Sequence, residues 1–477
     1  MNPSATVLLV NPNRMRPPIA PVGLDYLAGA LEARGHRPVL LDLCWPEDWR
    51  AQVAQCLQRV QPDLIGVSIR NVDDCYMASR QHFGALYAEM LEAIRGASTA
   101  PIVLGGVGFS VVPEALLGLL GAEFGIAGDG EQALAEIAAR VAARREFGDV
   151  AGLVWRGDGG CRVNPPAPAP GDAIPARRRL VDNARYFAEG GQGGIETKRG
   201  CPARCIYCAD PVAKGRSYRL RPPQRVADEF EDLLDQGVTH IHLCDSEFNL
   251  PPEHAEAICG ELIRRRLQTR ARWYTYASPA PFTPRLARLM AESGCAGINF
   301  GADSGDAGML KRLGRTHTPD DVVRAARLCR EHGMPVMFDL LLGAPGETRE
   351  TVAETIRVAK RAAPDVIGCS VGVRIWPHTP LAEIVRREGS GPGNPNLHGR
   401  VEGNDAFLWP VFYLAAELGA GLSDYLDGLV GGDSRFFVAD IERSDRNYNY
   451  NENLPLVNAI RAGARGAYWD ILRRMRS

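Results

Sequence analysis

Short apolar runs alternate with helical patterns along the first 145 residues. The runs are bounded by turn residues and predict five β-strands: Thr6–Val10, Pro38–Leu43, Leu64–Ser68, Pro101–Leu104 and Phe124–Ala127. Segments with helical periodicity lie between them, such as Leu24–Arg34 and Arg80–Arg95. Strands that alternate with helices predict a parallel, doubly wound α/β sheet, and such sheets bind ligands at the carboxyl ends of their strands.

The predicted strand ends carry polar residues and glycines. These ends are Asn11–Pro12, Ser68–Asn71, Gly105–Gly106 and Gly128–Glu131. Glycine has no Cβ, so a bulky ligand can approach the backbone closely there. The pattern therefore predicts a ligand cleft at this edge of the sheet.

The alternation pauses over residues 146–190 and then resumes. The pause contains a predicted strand pair and an extended Pro/Ala-rich connector. Six further strands are predicted beyond it: Gly194–Lys198, Thr239–Cys244, Arg272–Tyr276, Gly297–Phe300, Val336–Leu342 and Val366–Val373. They favour a partial (β/α)6 barrel. We therefore expect an α/β domain over residues 1–145, a connector over 146–190, a barrel over 191–385 and a mainly helical, aromatic-rich cap over 386–477.

Composition narrows the class of protein. The 477 residues are 45% hydrophobic and 23% charged, with a net charge of −2. This balance is typical of a globular protein with a sizeable core and gives no reason to expect nucleic acid or a membrane as a partner. Neither a signal peptide nor an apolar run of membrane-spanning length is apparent, so we expect a cytoplasmic enzyme with a small-molecule substrate.

Three of the twelve cysteines form a cluster. Nine are scattered singly, which is typical of buried small hydrophobic residues, whereas Cys201, Cys205 and Cys208 form a Cys-x3-Cys-x2-Cys loop after a predicted strand. Three thiolates can bind three irons of a cubane and leave the fourth iron open. A zinc site is the alternative, but no fourth Cys or His lies nearby to complete a tetrahedron.

This loop resembles the signature of the radical S-adenosylmethionine (SAM) superfamily. The resemblance implies that Cys201, Cys205 and Cys208 ligate a [4Fe–4S] cluster whose open iron chelates SAM. It further implies reductive cleavage of SAM to a 5′-deoxyadenosyl radical, hydrogen abstraction from the substrate, and an electron donor such as flavodoxin or ferredoxin. Tyr207 holds the aromatic position that lies near the adenine in this superfamily.

Four later segments resemble superfamily segments in the same order. They are Cys244–Asn249 at the methionyl amino group, Gly297–Ser304 at the ribose or carboxylate, the turn Leu342–Thr348, and Val373–Leu381 beside the adenine. Carried over residue by residue, the resemblance implies that SAM is bound by Tyr207, Ser246, Glu247, Asp303, Ser304 and Arg374. The glycine pair usual in the first segment is absent.

The order of sheet, connector and barrel resembles the cobalamin (B12)-binding subclass. The matching residues are Pro21–Leu24, Gly66–Ser68, Gly105–Gly106 and Gly128–Glu131. The Asp-x-His-x-x-Gly signature, whose histidine ligates cobalt, does not occur. Members of the subclass bind cobalamin without that histidine or bind none, so the resemblance leaves cobalamin open.

Two reactions are compatible with these motifs. The first is radical dehydration of an amino sugar or polyol in antibiotic biosynthesis, because the chain looks similar to the radical SAM diol-dehydratases of aminoglycoside (apramycin) biosynthesis. That lyase reading implies an NADPH-dependent reductase partner. The alternative is a cobalamin-dependent radical SAM C-methyltransferase of secondary metabolism. A pure electron-transfer protein is disfavoured by the open iron, and the substrate and the oligomeric state are not predicted.

Dehydration would need a general acid for the departing hydroxyl, and Tyr218 is our candidate for this catalytic role. It lies ten residues past Cys208, between Arg216 and Arg219, which would stabilise its phenolate. His378 and Glu247 are weaker candidates for the same role.

Overall fold

The computed structural model describes residues 4–157, 160–171, 174, 177–441 and 450–476. Two seven-stranded sheets dominate it, one in each half of the chain. The expectation of an α/β fold with an N-terminal parallel sheet followed by a barrel-type sheet is confirmed.

The first sheet has five parallel strands and an antiparallel edge. In spatial order it comprises β2 (Arg37–Asp42), β1 (Thr6–Asn11), β3 (Leu64–Ser68), β4 (Ile102–Gly105), β5 (Phe124–Ile126), β6 (Leu153–Gly157) and β7 (Gly160–Val163). The strand pair predicted in the connector is β6 and β7, and β6 pairs antiparallel with β5. This pair therefore extends the N-terminal sheet.

Helices cover both faces of this sheet because successive strand residues point to opposite sides. They are α1 (Val22–Ala33), α2 (Trp49–Val60), α3 (Gly84–Ala97), α4 (Val107–Val111), α5 (Pro113–Leu120) and α6 (Glu131–Ala142). Leu8 and Val10 pack with residues of α2, α3 and α5. Val7 and Leu9 pack with residues of α1 and α6. The result is the doubly wound arrangement that the alternating pattern predicts.

The second sheet is parallel throughout. Its spatial order is β8 (Gly193–Ile195), β11 (His240–Leu243), β12 (Arg272–Ala277), β13 (Cys295–Asp303), β14 (Val336–Leu342), β15 (Val366–Val371) and β19 (Phe436–Val438). The first six are the predicted barrel strands. The seventh comes from the C-terminal region and pairs with β15.

Helices and short strands complete the chain. The helices are α7 (Asn183–Gly190), α8 (Asp210–Lys214), α9 (Pro223–Asp235), α10 (Pro252–Arg264), α11 (Pro284–Glu292), α12 (Ala307–Arg312), α13 (Pro319–Glu331), α14 (Arg349–Ala362), α15 (Pro380–Glu388), α16 (Leu422–Val430), α17 (Leu454–Arg461) and α18 (Tyr468–Arg476). The short strands are β9 (Lys198–Arg199), β10 (Arg219–Leu220), β16 (Val373–Arg374), β17 (Leu397–Gly399) and β18 (Val411–Tyr413).

The C-terminal helix α18 packs on the inner face of the barrel sheet. Trp273 belongs to the core between strands and outer helices, so its neighbour Tyr274 points to the opposite face. There Tyr274 packs edge-on against Trp469, with ring centroids 6.3 Å apart, and donates a hydrogen bond to Asp470 Oδ2 at 3.0 Å. Met337 of β14 joins the same cluster.

A buried ion-pair network joins the two halves of the chain. Arg178, which is fully buried, donates to Asp25 Oδ2 of α1 at 2.7 Å and to Glu229 Oε1 of α9 at 3.0 Å. The phenol of Tyr26 donates to the same Glu229 oxygen at 2.9 Å. Because each group is buried and paired, the network holds the N-terminal sheet against the barrel in one orientation.

Candidate active site between the two sheets

The three cysteines of the loop line one cavity of about 160 Å³. Cys201 and Cys205 are buried and Cys208 is half-buried. Among the described residues, no three His, Cys, Asp or Glu side chains converge as ligands of a single metal ion. A [4Fe–4S] cube needs no such convergence because each thiolate binds a different iron. Burial raises the pKa of all three thiols, so cluster binding must displace their protons.

Backbone hydrogen bonds to neighbouring segments fix the shape of this loop. Cys201 N donates to Gly215 O at 3.0 Å, and Ile206 N donates to Leu313 O at 3.0 Å. Gly314 has a φ of +76°, and a Cβ there would stand 2.3 Å from Arg204 O. Glycine is therefore required where the turn after α12 passes under the loop.

Arg315 is the charged centre of the cavity wall. Its Nη1 lies 2.9 Å from Glu247 Oε1 and donates to Cys205 Sγ at 3.2 Å, and its Nε lies 3.2 Å from Asp303 Oδ2. Burial raises the pKa of Glu247 even though Arg315 lies beside it. Sequence reasoning missed Arg315, because it follows α12 on a loop outside every motif.

The structure brings four of the predicted SAM-binding residues together around Arg315. Tyr207, Ser246 and Glu247 line the cavity. Asp303, at the end of β13, accepts a hydrogen bond from the Tyr207 hydroxyl at 2.6 Å. Asp303 has a φ of +56°, which turns its side chain away from the regular strand path.

Two predicted SAM-binding residues lie elsewhere. Ser304 is buried against α14, where its hydroxyl is 2.8 Å from Thr355 Oγ1. Arg374 is buried in an ion pair, with Nε donating to Asp73 Oδ2 at 2.9 Å. Neither residue lines the cavity. Asp73 belongs to the N-terminal half, so a motif read along the barrel could not reveal this partner.

Tyr218 is half-buried near the cluster loop, but its expected arginine neighbours serve another purpose. Burial, followed by the charges of Cys201 and Glu247, raises the pKa of its phenol. Arg219 donates a hydrogen bond to Asp129 Oδ2 at 2.9 Å, so its guanidinium binds a carboxylate of the N-terminal half. Arg216 and His378 are exposed.

A second cavity of about 390 Å³ lies at the carboxyl ends of the N-terminal strands. Its wall includes Gly66, Ser68, Gly105 and Gly106 from the predicted strand ends. A Cβ on Gly105 would meet only Ile126 O within 4 Å, at 3.9 Å. The chain's own packing therefore leaves room there for a side chain, and a ligand can use that room.

This cleft fits cobalamin, which the sequence leaves open. Arg70 lines it, and Arg70 Nη1 is buried with no hydrogen-bond partner among the described residues. An unpartnered buried donor is costly unless a ligand supplies an acceptor, and cobalamin carries many amide and phosphate oxygens. A glycine wall and an unpartnered donor suit such a ligand.

The helix α8 separates the two cavities. Asp210 and Pro211 line the cluster cavity, and Ala213 and Lys214 line the cleft. Lys214 Nζ lies 3.6 Å from Asp210 Oδ2. One short helix therefore contributes residues to both cavity walls.

The Gly128–Glu131 segment, predicted to face a ligand, also anchors the cluster loop. Glu131 receives two hydrogen bonds from Arg199, at 2.7 and 3.0 Å, and Asp129 receives one from Arg199 at 3.3 Å. Burial alone would raise the pKa of Glu131, but the Arg199 guanidinium lowers it. Arg199 precedes Cys201 by two residues, so these ion pairs attach the cluster loop to the N-terminal domain.

A doubly wound domain with a glycine-lined cleft, facing a three-cysteine loop on a parallel barrel sheet, defines a B12-binding-domain radical SAM protein. Two family descriptions match accordingly: the radical SAM superfamily over residues 195–359 and the B12 binding domain over residues 14–138.

The chain belongs to the group of radical SAM proteins that includes tryptophan 2-C-methyltransferase of Streptomyces laurentii. It is 32% identical to that protein, with 97% of this chain and 95% of the relative covered. It is also 32% identical to the methyltransferase TsrM from Kitasatospora setae. The structure of TsrM with tryptophan and the SAM analogue aza-SAM bound matches this chain with a TM-score of 0.91, and the match covers 99% of both chains. The structure of TsrM with cobalamin and a [4Fe–4S] cluster bound matches with a TM-score of 0.89, and the match covers 99% of this chain and 98% of TsrM.

These relatives settle the cofactors. The radical SAM domain implies a [4Fe–4S] cluster and SAM, as predicted. The B12-binding domain and the cobalamin-bound structure of TsrM support cobalamin, which the sequence left open. No helix of the described ranges has both the length and the apolar character needed to cross a membrane.

The prediction of radical dehydration is wrong. The relatives that match over nearly the whole chain are methyltransferases, which points to methylation. The comparison with diol-dehydratases, the lyase class and the link to antibiotic biosynthesis are not supported either. The roles of Tyr218 as general acid and of an NADPH-dependent reductase depend on dehydration, and neither the structure nor the relatives test them. The error has a physical reason: the cluster loop and the strand ends serve both chemistries, so they could not distinguish them.

Proposed function

We propose that this protein is a cobalamin-dependent radical SAM C-methyltransferase acting on a small aromatic amine, with tryptophan as the first candidate. The observation that carries the proposal is 32% identity spread over 99% of the chain to a methyltransferase with tryptophan bound. Similarity confined to the cluster loop would support only the superfamily. Similarity that extends through both domains and the C-terminal segment supports the reaction class.

The arrangement of the two cavities supports methyl transfer. When bound, cobalamin supplies a carrier that can take a methyl group from SAM and deliver it to carbon. The cluster cavity and the cleft share α8 as a wall, so the two cofactor sites adjoin the same helix. Asp210 at one end of α8 receives a hydrogen bond from Ser246 at 2.5 Å, which fixes that wall to the end of β11.

The charged residues of the cluster cavity suit SAM, whose sulfonium and ammonium groups are cationic. Asp210 and Glu247 line the cavity together with one guanidinium, that of Arg315. Since Arg315 pairs with Glu247 and with Asp303, the remaining charge of the wall is negative. We propose that Glu247 and Asp303 hold the SAM ammonium and ribose, as the sequence resemblance implies.

The test is to weigh the product. Enzyme reconstituted with iron, sulfide and cobalamin is incubated with tryptophan, a reductant and SAM carrying a deuterated methyl group. We expect tryptophan to gain one deuterated methyl group, and enzyme without cobalamin to give none. A product that has lost water, or a methylated product that forms equally well without cobalamin, would contradict the proposal. Measuring 5′-deoxyadenosine in the same reaction shows whether hydrogen abstraction accompanies transfer.

A further inference from the structure

Asp339 of the cluster cavity wall and its neighbour Asn299, which does not line the cavity, form a polar pair that Arg315 does not contact. Asp339, in the middle of β14, lines the cavity, and its Oδ2 accepts a hydrogen bond from Asn299 Nδ2 of β13 at 2.8 Å. Asn299 is only 3% exposed. The remaining oxygens, Asp339 Oδ1 and Asn299 Oδ1, are both buried without a hydrogen-bond partner among the described residues.

Two unpartnered acceptors in one hydrogen-bonded pair call for a ligand with donors. Each buried acceptor without a donor costs about 1–3 kcal/mol, and more when the acceptor is charged. One N–H of the Asn299 amide is used on Asp339, and the two oxygens without a partner make the pair mainly an acceptor. A carboxylate or phosphate would be repelled there, whereas a primary ammonium group carries three N–H donors and a compensating charge.

The surroundings of Asp339 also favour a cation. No Lys or Arg of the described ranges forms an ion pair with it. Burial, together with the nearby charge of Asp303, raises its pKa to about 7 despite the hydrogen bond from Asn299. An ammonium group beside the carboxylate would offset both effects and keep it ionised.

The cavity wall beside Asp339 combines a residue without a side chain and an aromatic ring. Gly301 is its register partner in β13 and lines the same cavity without a side chain. Tyr276 lines the cavity as well, is 41% exposed, and packs against His242 with ring centroids 4.9 Å apart. An aromatic face next to an acceptor pair matches an aromatic amine.

We infer that Asp339, held in place by Asn299, binds the primary ammonium group of the methyl-accepting substrate inside the cluster cavity. The inference rests on the proposed function, since it assigns the substrate's amine rather than the ammonium of SAM. The ammonium of SAM has carboxylates of its own around Arg315. Asp339 is thus proposed as a specificity-determining residue, and Asn299 as the residue that positions it.

The test measures equilibrium binding to the reconstituted holoenzyme of three indoles: tryptophan, tryptamine and indole-3-propionate. Tryptamine keeps the amine and lacks the carboxylate, and indole-3-propionate keeps the carboxylate and lacks the amine. Asp339→Asn preserves shape and removes the charge. We expect this variant to bind tryptophan and tryptamine about 10- to 100-fold more weakly, which corresponds to the loss of one charge-assisted hydrogen bond. Binding of indole-3-propionate and of SAM should be unchanged.

Asp365→Asn is the matched control, because Asp365 is an exposed carboxylate that accepts from Val336 N at the start of the same strand. This variant should bind the three indoles and SAM with the same affinities as the parent enzyme. Asp339→Asn should also unfold at the parent temperature or above, since it removes an uncompensated buried charge. A merely structural role would instead lower that temperature.

Three results would overturn the inference. Equal weakening of all three indoles would mean that Asp339 shapes the cavity or meets the indole N–H. Weakening of SAM alone would assign the pair to the cofactor. Unchanged binding of every ligand would remove the pair from recognition. If the parent enzyme binds amines through Asp339 but methylates none of these indoles, the assignment of tryptophan fails while the ammonium site stands.

Discussion

The thiols of the cluster loop cannot replace one another. Each of Cys201, Cys205 and Cys208 must supply one iron ligand, so changing any one to Ala should abolish cluster assembly and methyl transfer together. Iron and sulfide content and product yield measure this. The control is Cys369→Ala in β15, a buried cysteine outside the cavity, which should keep its cluster. Full iron content in any of the three loop variants would contradict the assignment.

A buried histidine makes stability depend on pH. Burial lowers the pKa of His317 to about 4, while its Nε2 lies 3.0 Å from Ala302 O. The unfolded chain binds this proton near pH 6.5. Between pH 4 and pH 6.5 the unfolded state binds more protons at His317 than the folded state does. The contribution of neutral His317 to folding stability is therefore complete above pH 6.5 and is lost as the pH falls toward 4. The loss is roughly 1.4 kcal/mol per pH unit.

Denaturant unfolding at pH 7 and pH 5 tests this dependence. The parent should lose about 2 kcal/mol from this group between the two pH values, and His317→Gln should lack that part of the loss. His378→Gln, at an exposed position, should behave as the parent does. Comparing differences between pH values removes the constant cost of each substitution. An unaltered pH dependence in His317→Gln would count against the assignment.

How far single residues could be predicted depended on whether their partners lie nearby in sequence. The three cysteines share one loop, so spacing alone identified them. Arg315 could not be identified, since its partners Glu247 and Asp303 lie on two other strand ends. Arg374 was expected at SAM, but its carboxylate partner comes from the other half of the chain.

At the scale of elements, apolar periodicity predicted the barrel strands well because their interiors are continuous buried runs. The predicted and observed bounds of β14 are identical, Val336–Leu342. β13 begins two residues earlier than predicted and ends three residues later, because the polar Asp303 closes it in a left-handed conformation. β19 has three residues and no flanking pattern, and its partner β15 lies far away in sequence. Such a strand depends on tertiary pairing and leaves no local signal.

The contact between the start of α6 and β9 is an element-scale device that holds the cluster loop. Glu131→Gln removes the charge that binds Arg199 and keeps one hydrogen-bonding oxygen. We expect a loss of about 1–3 kcal/mol in stability and faster loss of iron to a chelator. Thermal unfolding and chelation rates measure the two effects.

The matched control for Glu131 is Glu136→Gln on the same helix. Glu136 forms a half-buried surface pair with Arg140, and surface pairs contribute about 0–1 kcal/mol. This variant should therefore keep the parent iron-loss rate. Equal iron loss in both variants would indicate a general effect on α6 rather than on the cluster loop.

At the scale of the whole molecule, each half contributes a different cofactor site, and function depends on their fixed separation. The buried network of Arg178, Asp25 and Glu229 and the pair of Glu131 with Arg199 cross the boundary at separate points. Two buried contacts restrict rotation as well as separation. The cleft and the cluster cavity therefore remain on either side of α8, as the proposed methyl transfer between them requires.

Filling the cleft should separate the two cofactor sites experimentally. The backbone of Gly105 is not in the left-handed region, and a Cβ there meets no atom closer than 3.9 Å, so Gly105→Val should fold. Its methyl groups would occupy space that the cofactor needs. We expect the variant to lose cobalamin and methyl transfer while it keeps parent iron and sulfide content, since the cysteines lie beyond α8. Visible spectra and metal analysis of reconstituted protein measure both.

Gly96→Ala in α3 serves as the control, since a Cβ at Gly96 meets nothing within 4 Å and the residue does not line the cleft. It should bind cobalamin as the parent does. If Gly105→Val retains cobalamin, the cofactor lies elsewhere and the cleft at the strand ends is not its site. If the same variant loses its cluster too, the two sites assemble as one unit, and the network through Glu131 and Arg199 is the route by which the cleft acts on the cysteine loop.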